Sequence, residues 1–492
     1  MTGSLLAVGL DATDLARLVA WAEAGALPVL SRALAGRRGR VASPAHVGSG
    51  AVWPTFTSGH PVGAHGFCSD WTWLPGEMRF ARARPPAERP GWATWPDAGV
   101  RGLVVDVPFA PAARADGVAE ILDWGGHDWL GDPTVVWPPA LQAAVDEAGA
   151  HGFTTSSIAI DGPTDWPLLR ALADEAIAGA AARGRLVRRA LAAHEADVAL
   201  VVFPELHRAG HFLWHLDRAD HPALAGAAVP DDLRDAFRRV AVAVDAAVGV
   251  ALEAMRPPVR LVLFALHGMH AAHGVVDVLP ALLESWDFAL RRPAARRGAG
   301  DWLALGARLA KQAVPASLKR QYYRHAPRSV TARLAQPPAS EVAYDWPRTR
   351  ALAWPSDQHG WIRVNLAGRE RDGAVARADY ADVCDALARR LAVLSTTTGA
   401  RVVERVVRLA DENGGEPPAS LPDLVVHWSD AAVAPGARLT APDLAMPVIV
   451  RRITGEHASD GWYAVAGEDP GWPDVVEAAS LLAALTRLAT RD

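Results

Sequence analysis

Short apolar runs recur along the chain, and most are followed at once by polar residues. The first run covers residues 4–10 (SLLAVGL), ends at Asp11, and leads into a segment with helical periodicity. Uninterrupted apolar runs of this length are typical of strands that are buried on both faces of a parallel sheet. Similar runs lie at residues 102–109, 197–204, 260–268, 362–366 and 422–428.

Alanine-rich helical segments separate several of these runs, as at residues 165–194 and 231–255. Strands that alternate with helices predict an α/β fold: a mostly parallel, mixed sheet covered by helices on both faces, which makes a three-layer sandwich. Residues 475–490 predict an amphipathic C-terminal helix that packs on this sheet.

The alternation stops between residues 277 and 341, where arginine and alanine dominate and proline and glycine interrupt the pattern. This change predicts a helical insertion or cap at 277–341, within a core formed by residues 1–276 and 342–492. We find no repeat of fixed period and no low-complexity linker that would divide the core further.

The composition narrows the class of protein. Of 492 residues 50% are hydrophobic and 21% charged, and the formal net charge of −5 gives no field that would attract nucleic acid or an anionic membrane. The apolar runs are too short to span a bilayer, and the N-terminus lacks the basic region of a signal peptide. Cys68 and Cys384 lie far apart without a disulfide or metal pattern. We therefore expect a cytoplasmic protein that binds a small molecule.

Histidines are concentrated after two of the apolar runs, in one group with a spacing of four residues and in a second group of three within seven residues. Ligands of parallel sheets bind beyond the carboxyl ends of the strands, and histidines four residues apart on a helix can hold a metal ion. A polar helix edge is the simpler alternative for the first group, whose last member we expect beside the site or at the surface. The groups are His207, His211 and His215, and His267, His270 and His273.

Residues 48–66 (GSGAVWPTFTSGHPVGAHG) concentrate hydroxyls, glycines and histidines. Ser49 lies between Gly48 and Gly50 at the start of a helical stretch, where free backbone N–H groups favour an anion and glycines permit close approach of a ligand. A plain helix N-cap is the alternative role for Ser49. Trp53 suits either an aromatic wall of a substrate site or the core.

Seven motifs follow one another along nearly the whole chain: VGLDATD at 8–14, the S-x-x-x-W-x-x-F-x-[ST]-G-x-x-P-x-x-HG pattern at 49–66, ELHRAGHFLWH at 205–215, FALHGM at 264–269, the segment 344–373, LPDLVVHW at 421–428 and GEHASDG at 455–461. In this order they resemble the alkaline phosphatase superfamily, and specifically its type I phosphodiesterase and nucleotide pyrophosphatase branch. The resemblance implies an α/β/α sandwich core and a two-metal phosphoester hydrolase.

The resemblance also implies roles for individual residues. Ser49 falls at the position of the nucleophile, which one of the two metals binds. Asp11 and His267 fall on ligands of that same metal. His211 and His457 fall on ligands of the other metal. The ions implied are divalent; zinc is favoured, and manganese and iron are alternatives.

Two positions depart from the family pattern. Where the family has an aspartate four residues before His211, this chain has His207, and where the family has an aspartate directly before His267, this chain has Leu266. Two ions about 4 Å apart repel by ~4 kcal/mol for each pair of unit charges at an effective dielectric constant near 20, and the missing carboxylates would offset that repulsion.

We therefore expect one firmly held ion on His207, His211 and His457. A second site at Asp11, Ser49 and His267 should be weak, or should fill only when an anionic substrate supplies the missing charge.

The leading functional interpretation is metal-dependent hydrolysis of a phosphodiester or phosphoanhydride, with Ser49 attacking phosphorus and His267 assisting its deprotonation. His270 and His273 could donate hydrogen bonds to the phosphate, beside Trp53. One alternative is a single-metal enzyme of a biosynthetic pathway that no longer cleaves phosphoesters, and another is a catalytically silent binding homologue. The expected partner is a small anionic substrate, neither nucleic acid nor membrane, and the oligomeric state is left open.

Overall fold

A computed structural model describes residues 3–125, 134–149, 151, 160, 162–218, 221–224, 226–272, 278–291, 344–356, 358–429, 438–441, 444–447 and 453–490. Its strands are β1 (Ser4–Leu10), β2 (Arg37–Ala42), β3 (Trp71–Leu74), β4 (Arg79–Arg82), β5 (Gly102–Val105), β6 (Val118–Leu122), β7 (Val135–Trp137), β8 (Val198–Phe203), β9 (Val259–Ala265), β10 (Gly268–Ala271), β11 (Ala351–Trp354), β12 (Gly360–Val364), β13 (Ser395–Thr396), β14 (Val403–Arg408), β15 (Leu424–Trp428), β16 (Arg438–Ala441), β17 (Leu444–Pro447), β18 (Gly455–Ala458), β19 (Gly461–Val465) and β20 (Val475–Glu477). Its helices are α1 (Leu15–Glu23), α2 (Ser31–Leu34), α3 (Val52–Ser58), α4 (Val62–His65), α5 (Gln142–Ala148), α6 (Trp166–Ala193), α7 (Glu205–Leu213), α8 (Asp231–Arg234), α9 (Ala236–Ala254), α10 (Leu279–Ser285), α11 (Tyr380–Ala392), α12 (Leu409–Glu412) and α13 (Ala478–Thr490).

The largest sheet has nine strands in the order β20, β2, β19, β9, β1, β8, β5, β6, β7. The central strands β9, β1, β8, β5 and β6 are parallel to one another. The strand β19 runs antiparallel to both of its neighbours, and β7 runs antiparallel to β6. The sheet is therefore mixed and mostly parallel, as the sequence predicts.

Helices cover both faces of this sheet. Along β1, Leu6 and Val8 pack into an apolar cluster with α1, α6 and α9, whereas Leu5 and Ala7 pack into a second cluster with α3 and the C-terminal helix α13. Side chains alternate between the two faces of a strand, so a strand that is buried on both faces can be apolar throughout. This arrangement confirms the predicted three-layer α/β sandwich.

The runs at 362–366 and 422–428 form strands, but outside the large sheet. They correspond to β12 and β15, which belong to a separate antiparallel sheet with the order β11, β12, β15, β14. This second sheet has its own apolar cluster with α10 and α11. Within this sheet β12 is antiparallel to β11, because only residues 355–359 separate the two strands and a parallel crossover needs a dozen residues or more.

The predicted insertion at 277–341 lies largely outside the described residues, so its boundaries stay a prediction. The described part, residues 278–291, contains α10, whose leucines join the apolar cluster of the second sheet. None of the helices described has both the length and the apolar character that a membrane crossing requires.

Candidate metal centre

Three neighbouring strands end at the same edge of the large sheet. The central strand β1 lies between β8 and β9 and is parallel to both. Asp11 directly follows β1, the helix α7 with His207 and His211 begins two residues after β8, and His267 lies two residues after β9. Parallel strands bring their carboxyl ends together, so these side chains lie close to one another in space.

A fourth segment reaches this edge from far along the chain. After His267 the chain forms β10, which pairs antiparallel with β18 and sets Met269 opposite His457. The backbone N–H of Thr454 donates to the carbonyl oxygen of His211 at 2.6 Å, and this bond fastens the start of β18 to α7. His457 thereby comes to lie beside histidines that are more than two hundred residues earlier in the sequence.

The imidazole rings of His207, His211 and His457 converge. The Nε2 atom of His207 lies 2.9 Å from Nε2 of His211 and 2.7 Å from Nε2 of His457. One ring nitrogen from each of the three residues lies within 4.8 Å of the others. A group of three inward-facing ring nitrogens is the donor set of many metal sites.

The hydrogen bonds at the outer nitrogens indicate which tautomer each ring adopts. Nδ1 of His211 lies 2.8 Å from the carbonyl oxygen of Gly455, which can only accept, so this nitrogen carries the proton. Nδ1 of His207 likewise donates to the Asp11 carboxylate at 2.8 Å. In neutral rings the two Nε2 atoms then face each other with lone pairs, which repel unless a cation lies between them. The residues present therefore fit a metal ion.

The electrostatic surroundings keep the His207 ring in the form that binds metals. Burial, followed by the neighbouring rings of His211 and His457, holds the pKa of His207 well below its ordinary value. The ring is therefore neutral at neutral pH, as a metal ligand must be. Three imidazole ligands leave a fourth position open, as in catalytic zinc sites, and manganese and iron also accept imidazole.

Asp11 is fully buried, and its two carboxylate oxygens accept from different donors. Oδ1 accepts from the indole nitrogen of Trp53 at 2.9 Å, and Oδ2 accepts from His207. The next residue, Ala12, has φ of 47°, in the left-handed region that non-glycine residues rarely adopt. The Thr13 hydroxyl donates back to the Asp11 carbonyl at 3.0 Å and helps to hold this turn.

His267 lies beside the three converging histidines. Its ring centroid is 4.7 Å from that of His457 and 6.1 Å from that of His207. Its Nδ1 lies 4.0 Å from Oδ1 of Asp11. The residue before it, Leu266, is fully buried in the apolar cluster of the sheet face that carries α3. An apolar side chain thus lies where the family pattern has a metal-binding acid.

Ser49 begins a 3₁₀ turn, Ser49–Ala51, that continues directly into α3. The N-cap of α3 is Ala51, so the alternative role of Ser49 as a cap of this helix is wrong. Trp53 follows Ser49 by four residues and donates to Asp11, which fastens the start of α3 beside the metal centre. The serine itself is 9% exposed.

Packing against protein atoms accounts for the glycines on either side of the serine. A Cβ atom at Gly48 would lie 2.5 Å from a ring carbon of Trp361, and one at Gly50 would lie 2.6 Å from the carbonyl oxygen of Cys68. Trp361, which lies on β12, also donates its indole N–H to the carbonyl oxygen of Val47 at 2.7 Å. The second sheet therefore holds the loop that carries the serine.

A buried charge network supports the first turn of α7. Glu205 accepts from Nε of Arg183 at 2.9 Å and from Nε2 of His151 at 3.0 Å, and Arg183 also pairs with Asp106. Burial alone would raise the pKa of the Glu205 carboxyl, but the charge of Arg183 and the hydrogen bond from His151 outweigh burial and lower it. Sequence reasoning missed this network, since an arginine inside a long helix carries no local signal of such a role.

His215, which the sequence places beside the site or at the surface, is fully buried two residues beyond the end of α7. Its Nε2 donates to the Pro163 carbonyl oxygen at 2.7 Å, and its Nδ1 lies 2.9 Å from the Thr454 hydroxyl. Burial lowers the pKa of His215 to about 4. His215 therefore joins the end of α7 to the segment that leads to His457.

The three residues predicted to bind substrate are Trp53, His270 and His273, and the first two have different surroundings. Trp53 is 1% exposed, packs edge-on against Phe56 and donates to Asp11, so its contacts lie within the core. His270 on β10 lies opposite Glu456 on β18. Side chains alternate along a strand, so both lie on the face opposite to that of His457. His273 lies outside the described residues.

Comparisons with family models and with curated proteins find no match. Among solved structures, phosphonoacetate hydrolase from Sinorhizobium meliloti 1021 in complex with phosphonoformate matches 99% of this chain and 96% of its own, at 14% identity and a TM-score of 0.53. The complex of that enzyme with phosphonoacetate gives a TM-score of 0.50 at the same identity and coverage. Murine ectonucleotide pyrophosphatase/phosphodiesterase 5 in complex with AMP covers 100% of this chain and 96% of its own, at 10% identity and a TM-score of 0.46.

At 14% identity, a likeness over nearly the whole of both chains speaks for the fold and not for the reaction. The nine-stranded, mostly parallel mixed sheet and its two helical layers agree with it. The chain therefore has an alkaline phosphatase-like fold.

Proposed function

We propose that this chain is a metal-dependent hydrolase of a phosphodiester or phosphoanhydride, with Ser49 as the nucleophile, in the phosphodiesterase branch of the alkaline phosphatase superfamily. The observation that carries the proposal is the convergence of three imidazole nitrogens from His207, His211 and His457 at the sheet edge to which α3 is fastened. The fold neighbour is named for the hydrolysis of phosphonoacetate, so phosphonates belong among the candidate substrates.

In the proposed reaction the Ser49 oxygen forms a bond to phosphorus while the bond from phosphorus to the leaving oxygen breaks. His267 receives the serine proton and passes it to the leaving oxygen. Water then attacks phosphorus, its hydroxyl group stays on phosphorus, and its other proton passes through His267 to the Ser49 oxygen as the phosphoserine bond breaks. A divalent ion on the three imidazoles would supply positive charge for the phosphoryl oxygens. His207, His211 and His457 would hold that ion, and Asp11 would keep His207 oriented toward it.

A second candidate function is a single-metal reaction on a substrate other than a phosphoester. The observation in its favour is the loss of two acids that the family pattern has, since His207 and the buried Leu266 stand in their places. Without these two carboxylates, less negative charge offsets the repulsion between two neighbouring divalent ions, so a two-ion centre would bind its second ion more weakly.

The test is a hydrolysis assay with p-nitrophenyl phosphodiesters and a p-nitrophenyl phosphonate, on protein stripped of metal and on protein supplied with zinc or manganese. We expect hydrolysis that depends on the ion and that falls at least about 10³-fold in Ser49→Ala, while the metal content stays unchanged. Ser58→Ala is the matched control, because Ser58 lies at the other end of α3, where its hydroxyl donates to Pro54.

Full activity in Ser49→Ala would exclude the nucleophile role. A firmly bound ion without hydrolysis of any of these substrates would favour the second candidate function. We also propose a cytoplasmic location, with support from Cys68 and Cys384, which are both buried and not joined in a disulfide.

A further inference from the structure

We infer that the centre holds one divalent ion and not two, and that Asp11 acts as the carboxylate that orients His207 instead of as a ligand of a second ion. The inference rests on the proposed function only in its requirement for a divalent ion. It concerns the number of ions and the role of Asp11, which the identity of the substrate does not affect.

The first argument is that the two nitrogens of the His207 ring have different roles. Nδ1 donates to Oδ2 of Asp11 at 2.8 Å, which leaves Nε2 unprotonated and turned toward His211 and His457. A carboxylate in this position fixes the tautomer and the orientation of the ring and makes the ring a stronger ligand. The chain thus provides a ligand at position 207 together with the group that supports it.

The second argument is what surrounds the other carboxylate oxygen. Oδ1 of Asp11 accepts from the indole nitrogen of Trp53 at 2.9 Å, in a side chain that is 1% exposed. On the next strand end, the residue before His267 is Leu266, which is fully buried among apolar side chains. Oδ1 therefore already accepts a hydrogen bond from a buried N–H group, and Nδ1 of His267 lies 4.0 Å from it. No second acid stands at position 266, where the family pattern has one.

The third argument is the charge balance. The resemblance implies three aspartates around two ions, whereas this chain keeps Asp11 alone and has a histidine and a leucine at the other two positions. Two neighbouring divalent ions repel strongly unless anionic ligands offset their charge. One ion on three neutral imidazoles avoids this repulsion, and the negative Asp11 behind His207 stabilises it.

The experiment counts ions. The purified chain is stripped with a chelator, titrated with Zn²⁺ and with Co²⁺, and desalted, and bound metal is measured by elemental mass spectrometry. The dissociation constant comes from competition with a chromophoric chelator, and the Co²⁺ absorption spectrum reports the ligand geometry. We expect one equivalent in the wild type, with a spectrum of a four-coordinate site.

The decisive variant is Asp11→Asn. We expect it to bind one equivalent still, with an affinity about 10- to 100-fold weaker, because an amide presents an N–H group to one of the two donors that now face the carboxylate. Asp245→Asn is the matched control: Asp245 is a buried carboxylate that accepts from the backbone N–H groups of Val29 and Leu30. Its substitution should leave the metal affinity within about twofold.

Two equivalents in the wild type, reduced to one in Asp11→Asn with the remaining affinity unchanged, would overturn the inference. So would an unchanged affinity in Asp11→Asn, or the absence of any bound metal in the wild type. The wild-type count decides the matter even if Asp11→Asn does not fold, which circular dichroism would reveal. One bound ion without phosphoester hydrolysis would leave this inference standing and remove the proposed function.

Discussion

The substitution His215→Gln removes a buried titrating ring next to the metal centre while it keeps groups that can bond to Pro163 and Thr454. The ordinary pKa of histidine is 6.5, and burial lowers that of His215 to about 4. The unfolded chain therefore binds a proton at a pH where the folded chain does not. The contribution of the neutral ring to stability is complete above pH 6.5 and is lost as the pH falls toward 4.

The magnitude follows from the two pKa values. Between pH 7.5 and pH 5 the difference in proton binding corresponds to about 2 kcal/mol of unfolding free energy. The side chain is fully buried, so solvent screening does not reduce this value. Glutamine does not titrate, and the variant should lack this part of the pH dependence, although it is less stable than the wild type at both values because its packing is poorer.

The assay is urea unfolding of both proteins at pH 7.5 and at pH 5, with a chelator present so that loss of metal does not contribute. We expect the free energy of unfolding of the wild type to fall by about 2 kcal/mol more than that of His215→Gln. An equal fall in the two proteins, within about 0.5 kcal/mol, would refute the reasoning, since it would mean that the ring has an ordinary pKa in the folded chain.

Two further predictions concern the supports of the centre. Gly48→Ala should lower the free energy of unfolding by about 1–3 kcal/mol in a thermal unfolding assay, because the added Cβ would collide with Trp361 and the carbonyl oxygen of Cys68. Gly76→Ala is the control and should be nearly neutral in the same assay, because no atom lies within 4 Å of its added Cβ. Arg183→Met should lower the free energy of unfolding by about 3–5 kcal/mol in denaturant titrations, because it removes the cation that pairs with the buried carboxylates of Asp106 and Glu205. Arg170→Met removes only the exposed ion pair with Asp232 and should lower it by at most about 1 kcal/mol. Equal effects within either pair would contradict the packing or the burial argument.

The strands were predictable because a strand that is buried on both faces is apolar along its whole length, as β1 is. The proximity of Asp11, His207 and His267 followed from the same pattern, since each comes just after such a strand. The second sheet could not be predicted, because an apolar run does not reveal its pairing partner. Runs that look alike in the sequence therefore belong to different sheets.

The contacts within the candidate metal centre could not be predicted from the sequence for a different reason. Whether a carboxylate binds an ion or a neighbouring ring depends on distances of an ångström, and these are set by the turn at Ala12 and by the register of β10 with β18. Trp53 illustrates the limit: its aromatic character fitted a ligand wall and the core equally well. Only its hydrogen bond to Asp11 distinguishes the two roles.

His207 and His457 are separated by 250 residues of sequence, yet their Nε2 atoms lie 2.7 Å apart. In the unfolded chain such ligands are far apart, so an ion that needs both can bind only to the folded state. Ion binding and folding are then thermodynamically linked: at a free ion concentration 100 times the dissociation constant, the folded state gains about 2.7 kcal/mol. The ion would join the helix α7 to the strand β18, and the melting temperature of the chain would rise with the free metal concentration.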